Sequence, residues 1–200
     1  MYPTPWFDYR ARQIVGCRLN RVDQYQATLN ERGIVRIREQ MISLLFNINY
    51  LIIESSNLQT GLPNILVTGT PGVGKTSLCT LLESQLLEEY GISNFQYVKL
   101  SDLITQKKLY KTWNVEFNVP EFNVDLVCDE LEPLMSGRGG IILEFHSCDF
   151  FPERWFQLVV LLRCDNTYLY DRLKNRGYDE KKITENIECE ILDVLKDEVE

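Results

Sequence analysis

The chain has little of what marks several common classes of protein. Its 200 residues include one histidine, His146, and six cysteines, none of them in a C-x-x-C pair. Zinc sites need closely spaced cysteine or histidine pairs, and small secreted domains need a denser cysteine framework. The sequence therefore favours reduced intracellular thiols over structural zinc or disulfides.

Long apolar runs and excess positive charge are also lacking. The most apolar run, residues 42–53, contains Asn47 and Asn49 and is shorter than the roughly 20 residues that cross a bilayer. No secretory signal precedes it. The formal net charge of −8 argues against general binding to nucleic acid or anionic membrane. We therefore expect a soluble intracellular protein with no membrane contact and no strong nucleic-acid binding.

Lysine is absent from the first part of the chain, where the earliest lysine is Lys75. Residues 1–61 hold seven arginines and five acidic residues, so this segment is about +2 and residues 62–200 about −10. The segment could be a transit peptide, although its acidic residues weaken that interpretation, or a disordered extension. Residues 31–53 could form an amphipathic helix. We expect residues 1–61 to lie outside the core fold, poorly ordered or partly helical.

Residues 62–200 show a regular alternation of apolar runs and helical patterns. Nearly continuous apolar runs are typical of strands buried on both faces, and strands that alternate with helices predict a parallel sheet with right-handed crossovers. The predicted strands cover 64–69, 95–100, 139–145 and 156–163, and the predicted helices 75–90, 101–111, 123–136 and 165–175. The final segment, from 180, repeats apolar residues at helical spacing and predicts one long amphipathic helix.

A phosphate-binding motif joins the first of these strands to the first helix. The pattern G-x-x-x-x-G-K-[ST] is matched by Gly69, Gly74, Lys75 and Thr76. Glycines, here including Gly72, let backbone N–H groups surround phosphates at a helix N-terminus. Lys75 would reach the β- and γ-phosphates of ATP, and the Thr76 hydroxyl would bind Mg²⁺. Ser77 could contact the α-phosphate. The motif predicts a nucleoside-triphosphate site.

Three classes of phosphate-loop protein remain to be separated. A GTPase needs N-K-x-D and D-x-x-G signatures, and neither follows the loop. A motor or helicase ATPase needs more chain than residues 62–200 supply. A nucleoside-monophosphate kinase needs a short α/β core, an acceptor region after the second strand and an arginine-bearing lid, and this layout fits.

The motifs then resemble one family within that class. They are LPNILVTGTPGVGKT at the loop, SDL at 101–103, EFHSCDFFPERWF at 144–156 and YDRLKNRGYDEKKITENIECEI at 170–191. Together they resemble the adenylate kinase isoenzyme 6 family over residues 62–200. The resemblance implies a three-layer α/β P-loop fold with strand order 2-3-1-4-5, Mg²⁺-dependent transfer of phosphate from ATP to AMP or another monophosphate, and ATPase activity.

The resemblance also assigns regions and residues. The monophosphate-binding region would be 99–122 and the lid 175–185. Arg176 corresponds to the ATP-contacting lid arginine, and His146 to a histidine linked to ATP turnover and conformational control. Glu144 ends the third strand, where a carboxylate helps to hold Mg²⁺. The family usually has Asp at that position, so this departure puts the catalytic rate in doubt more than nucleotide binding.

Several roles stay open from the sequence. Arg172 could neutralise phosphate charge or be a solvated helix residue. Asp102 could help to form the AMP site or favour the helix dipole beside Ser101, which has the better capping chemistry. For the aromatic residues of the acceptor region, packing is favoured over base stacking; they are Tyr110, Trp113, Phe117 and Phe122.

The family resemblance carries three further expectations. It implies residence in the nucleus and cytoplasm. It implies a role in small-subunit ribosome assembly, including 18S ribosomal RNA maturation, through a small-subunit ribosomal protein and the pre-ribosome. It also implies a fifth strand and a closing helix, which the chain lacks, so that one edge of the sheet would be uncovered unless the N-terminal segment partly fills the gap. The alternatives are an ATP-gated assembly factor without kinase function and an inactive nucleotide-binding relic.

Overall fold

The computed structural model describes residues 6–12, 22–29, 35–36, 38–58, 61–114, 119–192 and 194–199. The strands are β1 Trp6–Arg12, β2 Val22–Leu29, β3 Val35–Arg36, β4 Ile65–Thr68, β5 Gln96–Lys99, β6 Tyr110–Asn114, β7 Val119–Phe122, β8 Ile141–Glu144 and β9 Leu158–Leu162. The helices are α1 Arg38–Leu58, α2 Lys75–Tyr90, α3 Leu100–Lys107, α4 Val124–Met135, α5 Asn166–Asn175, α6 Glu180–Ile191 and α7 Val194–Val199. None of these helices is both long and apolar enough to cross a membrane.

Four neighbouring strands of the main sheet are parallel, in the order β5-β8-β4-β9. Ile65 of β4 pairs with Ile142 of β8 on one side and with Leu158 of β9 on the other. All residues of β4, β8 and β9 are buried, because helices cover both faces of the sheet. The predicted parallel α/β fold and the first four positions of its strand order are confirmed.

Each face of the sheet carries its own apolar core. On one face α1, α2, α5 and α6 pack against the sheet through residues such as Ile48, Leu82 and Leu169. On the other face α3 and α4 pack together with a cluster of aromatic rings that includes Phe145, Phe151 and Trp155. The aromatic residues of the segment CDFFPERWF therefore belong to the core on the α3 and α4 face of the sheet.

The N-terminal segment differs from its expectation. Helix α1 places Leu44, Leu45, Ile48 and Leu51 in the core, each at most 5% exposed. Strand β1 pairs antiparallel with β9, and β2 and β3 extend the same sheet to seven strands. The expectation that residues 1–61 lie outside the core is therefore corrected for the parts described. The expectation of an uncovered edge at β9 is corrected too, because β1 occupies that edge.

The C-terminal helix is the other correction. It is divided into α6 and α7 rather than continuous from residue 180. Ile183 is buried and Ile187 packs against the core, but Ile191 is 58% exposed. The apolar period read from the sequence therefore describes only the first three turns of this segment.

The remaining helices agree closely with the sequence. Helix α2 has the predicted bounds, and α4 and α5 begin within one residue of theirs, capped by the side chains of Asn123 and Asp165. Helix α3 ends at Lys107, four residues early, because Lys108 adopts a left-handed conformation and a β-hairpin of β6 and β7 follows. The predicted acceptor region thus consists of a short helix and a hairpin.

Candidate nucleotide-binding site

The loop between β4 and α2 has the shape of a phosphate cradle. Gly74 lies at the N-cap of α2 with a φ of 111°, and a Cβ there would meet only Leu162 Cδ2, at 3.9 Å. Gly72 has a φ of 97°, and its Cβ would approach Leu169 Cδ1 to 2.9 Å. Within the described part of the chain no side chain caps α2, so its first N–H groups are left to bind an anion. The residues present fit a polyphosphate.

Lys75 places its ammonium group inside this loop. Its Nζ donates hydrogen bonds to the carbonyl oxygens of Gly69 at 2.5 Å and Thr70 at 3.1 Å, and the residue is 8% exposed. Burial lowers the pKa of Lys75 from 10.5 to about 8; the carboxylate of Glu144 opposes this shift and Arg176 adds to it. Two neutral carbonyls compensate a buried cation poorly, so a phosphate would be a stronger partner.

Glu144 connects the loop to the neighbouring strands. Its Oε1 accepts a hydrogen bond from Thr76 Oγ1 at 2.9 Å, and its Oε2 accepts one from the hydroxyl of Tyr97. The carboxylate is 7% exposed at the carboxyl end of β8. Burial, followed by the bond to Glu144, raises the pKa of Tyr97 far above its usual 10. Tyr97 therefore remains a hydrogen-bond donor to Glu144 at any physiological pH.

The Thr76 and Glu144 oxygens also suit Mg²⁺. Magnesium prefers oxygen ligands and commonly binds through one or two protein groups together with substrate phosphates and water. Among the described residues no group of three or more His, Cys, Asp or Glu side chains could hold a metal by itself. These two oxygens could therefore form part of a magnesium site that phosphate oxygens would complete.

Two arginines approach the loop from α5. Arg172 Nη1 donates to the carbonyl oxygens of Gly72 at 3.3 Å and Val73 at 3.5 Å, so it is not simply a solvated helix charge. Arg176 follows the last turn of α5, is exposed, and lies near enough to Lys75 to oppose its charge. Gly177 then turns the chain into α6, so the predicted lid is a short turn followed by a helix.

His146 lies near enough to the phosphate loop to be affected by the charge of Lys75. Its ring stacks at a tilt on Phe145, with centroids 4.2 Å apart. Loss of hydration and the nearby charge of Lys75 lower the pKa of His146 from 6.5 to about 4, although part of the side chain is exposed. The imidazole is therefore neutral near pH 7 and can accept a hydrogen bond there.

Other predicted residues have more varied surroundings. Ser77 lies exposed in the first turn of α2. Lys99 rather than Ser101 is the N-cap of α3, and Asp102 forms an ion pair with Lys99 at 2.9 Å. Phe122 packs edge-on against Phe145, with centroids 5.4 Å apart, as the packing interpretation predicts. Tyr110 also packs against the core. The side chain of Trp113, and Phe117, lie outside the described residues.

Sequence reasoning missed two residues that hold this site together. Tyr97 lies 47 positions before Glu144, and Glu190 lies 120 positions after Thr70, whose hydroxyl it binds. No local motif links such distant positions. The only signal for Tyr97 was its place in a strand expected to lie beside the one ending in Glu144.

A separate cleft of about 700 Å³ lies at the opposite end of the sheet, where the parallel strands begin. Its lining includes Ser55, Leu62, Asn94 and Arg138. Because the phosphate loop is at the carboxyl ends of the strands, this cleft is not part of the candidate site.

A parallel sheet with a G-x-x-x-x-G-K-T loop, a lysine in the cradle and a carboxylate on the adjacent strand defines an α/β P-loop NTPase. Residues 65–193 match the AAA domain family. The chain is 45% identical over 136 residues to the adenylate kinase isoenzyme 6 homolog of Drosophila melanogaster, covering 68% of this chain and 73% of that protein.

Two further relatives have the same name. The Dictyostelium discoideum homolog is 42% identical, covering 71% of this chain and 77% of that protein. The Caenorhabditis elegans homolog is 43% identical, covering 68% and 71%. The chain belongs to the adenylate kinase isoenzyme 6 family, and the predicted family membership is confirmed.

Proposed function

We propose that the chain is a Mg²⁺-dependent nucleoside-monophosphate kinase that converts ATP and AMP to two ADP and also hydrolyses ATP slowly. The observation that carries the proposal is the convergence of Lys75, Thr76 and Glu144 at one phosphate loop. The names of the relatives, adenylate kinase isoenzyme 6 homologs, support AMP as acceptor.

In this reaction the bond between the γ-phosphorus and the β,γ-bridging oxygen breaks, and a phosphate oxygen of AMP forms the new bond. The protein supplies position and positive charge rather than a covalent intermediate. Lys75 and Arg176 would bind the transferred group. Arg172 would stabilise the loop through its hydrogen bonds to the carbonyl oxygens of Gly72 and Val73. Thr76 and Glu144 would hold Mg²⁺, which neutralises phosphate charge. His146, being neutral, would orient a water molecule or acceptor oxygen without adding charge.

A coupled assay tests the proposal. Purified chain is incubated with MgATP and a panel of monophosphates, and ADP and free phosphate are measured. We expect ADP formation to depend on AMP and to fall at least about a hundredfold in Lys75→Ala, because a principal phosphate contact is lost. Arg138→Ala is the matched control, since it removes a cation at the far end of the sheet. ADP formation that does not increase when AMP is added, or an active Lys75→Ala protein, would refute the kinase assignment.

A second candidate is an ATP-gated assembly factor whose output is release of a partner. The observation that favours it is the engagement of both Glu144 oxygens, by Thr76 and Tyr97, which restrains the carboxylate and would slow phosphoryl transfer. From the family resemblance we propose a small-subunit ribosomal protein as that partner, 18S ribosomal RNA maturation as the process, and nucleus and cytoplasm as the location. Phosphate release that ignores AMP but rises with pre-ribosomal particles would favour this candidate.

A further inference from the structure

Glu190 is a buried carboxylate at the end of α6, far from the phosphate loop in sequence. It is 5% exposed, and a buried carboxylate is costly unless it is fully hydrogen-bonded. Its Oε2 accepts from Thr70 Oγ1 at 2.5 Å. Its Oε1 accepts from the backbone N–H of Cys164 at 3.1 Å and from Arg163 Nε at 3.2 Å. The two carboxylate oxygens thus accept three hydrogen bonds, one from the phosphate loop and two from the residues that follow β9.

The backbone of Glu190 reinforces the same attachment. Its carbonyl oxygen accepts from Arg163 Nη2 at 2.6 Å. Since Arg163 and Cys164 directly follow β9, the end of α6 is fixed to the carboxyl edge of the parallel sheet. Thr70 is thus held by a group that is itself anchored to the sheet.

Thr70 transmits this attachment to the functional lysine. It follows Gly69 at the start of the phosphate loop, and its carbonyl oxygen accepts from Lys75 Nζ at 3.1 Å. The carbonyl of Thr70 also accepts from the N–H of Val73 at 3.3 Å, which closes the turn of the loop. A shift of Thr70 would therefore move both the turn and the oxygen that orients the ammonium group.

We propose that Glu190 is a positioning residue of the nucleotide site, which fixes Thr70 and thereby holds the phosphate loop in its binding shape. The proposal rests on the proposed ATP-binding function. Glu190 contacts the loop through the Thr70 side chain, so its action on nucleotide would pass through Thr70. Helix α6, which follows the lid turn, would thus support the loop as well as the lid.

The test measures MgATP affinity by calorimetry and the KM values for ATP and AMP. Thr70→Val keeps the side-chain shape but removes the hydroxyl, and we expect it to weaken MgATP binding about tenfold, the scale of one hydrogen bond to a charged group. The KM for AMP should stay unchanged, because the acceptor region lies elsewhere. Thr70→Ser, which restores the hydroxyl, should recover most of the affinity.

Variants of Glu190 complete the design. Glu190→Ala should weaken MgATP binding at least as much as Thr70→Val, and the double variant should lose no more than Glu190→Ala alone, because both changes break one connection. Glu188→Ala, an exposed acid of the same helix, is the control and should bind normally. Should Glu190→Ala fail to fold, Thr70→Val and Thr70→Ser still decide the question.

The possible outcomes distinguish failure of the Glu190 proposal from failure of the proposed ATP-binding function. A wild-type chain that does not bind MgATP would refute the proposed function itself. A wild-type chain that binds MgATP, together with a Thr70→Val protein of equal affinity, would overturn the role of Glu190 alone. Equal increases in the KM values for ATP and AMP in Thr70→Val would also overturn it, since they would indicate a general structural defect.

Discussion

Lys75 combines two opposing demands at the scale of a single residue. Its position inside the loop suits a phosphate, but burial there disfavours the charged ammonium and lowers its pKa to about 8. Bound phosphate would reverse that effect, because an anion favours the protonated form. Nucleotide binding above this pKa therefore requires uptake of a proton.

Affinity for MgATP should accordingly fall at high pH. Since Lys75 is mostly protonated at pH 7 and mostly neutral at pH 9, we expect the Kd to rise about tenfold over that range. The free energy of unfolding should increase as pH rises from about 8 toward 10.5, because the unfolded chain retains this proton longer than the folded one. Lys75→Arg stays charged, so its Kd, even if higher, should not change with pH. A flat wild-type profile would contradict the lowered pKa.

His146 allows a direct measurement because it is the only histidine of the chain. Its imidazole C2 proton in an NMR titration should show a midpoint at about 4 instead of 6.5. Protonation is opposed in the folded state, so stability from this group is lost as pH falls from 6.5 through 4. Adding MgATP should raise the midpoint, since phosphate charge offsets Lys75. A midpoint near 6.5 would mean that the exposed side of the ring keeps its hydration.

Residues that lie close together in sequence could be placed together from the sequence. Gly69, Gly74, Lys75 and Thr76 fall within eight positions, so their position in one loop could be predicted from spacing alone, and their function stays a prediction. Contacts between distant segments could not be read that way. Glu190 is an example, because its role depends on α6 ending beside β9, which no spacing rule supplies.

Asn64 shows how secondary-structure elements are joined below the site. It precedes β4 and is 3% exposed. Its Nδ2 donates to the carbonyl oxygens of Met135 and Trp155, both at 3.0 Å, and its Oδ1 accepts from the N–H of Ile141 at 3.0 Å. One amide thus connects the end of α4, the turn before β9 and the start of β8.

Replacing Asn64 should separate those elements. Asn64→Ala leaves two carbonyl oxygens and one N–H buried without their partner, so we expect a loss of about 3 kcal/mol in the free energy of unfolding. The melting temperature should drop by roughly 6–12 °C. Asn94→Ala, an exposed residue before β5, serves as control and should change little. Equal melting curves for both variants would show that Asn64 does not hold the elements together.

The helices and strands that could be predicted are those whose apolar residues recur at a clear spacing or form a short continuous run. The buried strands β4, β8 and β9 are short apolar runs, and α2 is bounded by Gly74 and Gly91, so the sequence marks these elements clearly. The division between α6 and α7 was missed because Ile191 continues the apolar period although it lies exposed. Periodicity records which residues could share a face, not whether a partner covers that face.

At the scale of the whole molecule, the N-terminal segment completes both the core and the sheet. Residues 1–61 have a formal net charge of about +2 and residues 62–200 one of about −10, so electrostatic attraction favours their association. Its apolar residues lack a clear period in sequence, which is why it was expected outside the fold. Burial of Ile48 and strand pairing by β1 give it a structural role instead.

Substitutions in helix α1 test whether the N-terminal segment packs in the core, as in the structure, or lies outside it, as the sequence predicts. Ile48 is 0% exposed in the core cluster, whereas Ile53, five residues later, is 55% exposed. Ile48→Ala should cost about 2–4 kcal/mol, through lost burial and the cavity left behind, and Ile53→Ala less than about 0.5 kcal/mol. Urea unfolding of the full chain measures both. If Ile48→Ala were as stable as Ile53→Ala, α1 would not pack on the sheet, and residues 1–61 would lie outside the core as their composition first indicated.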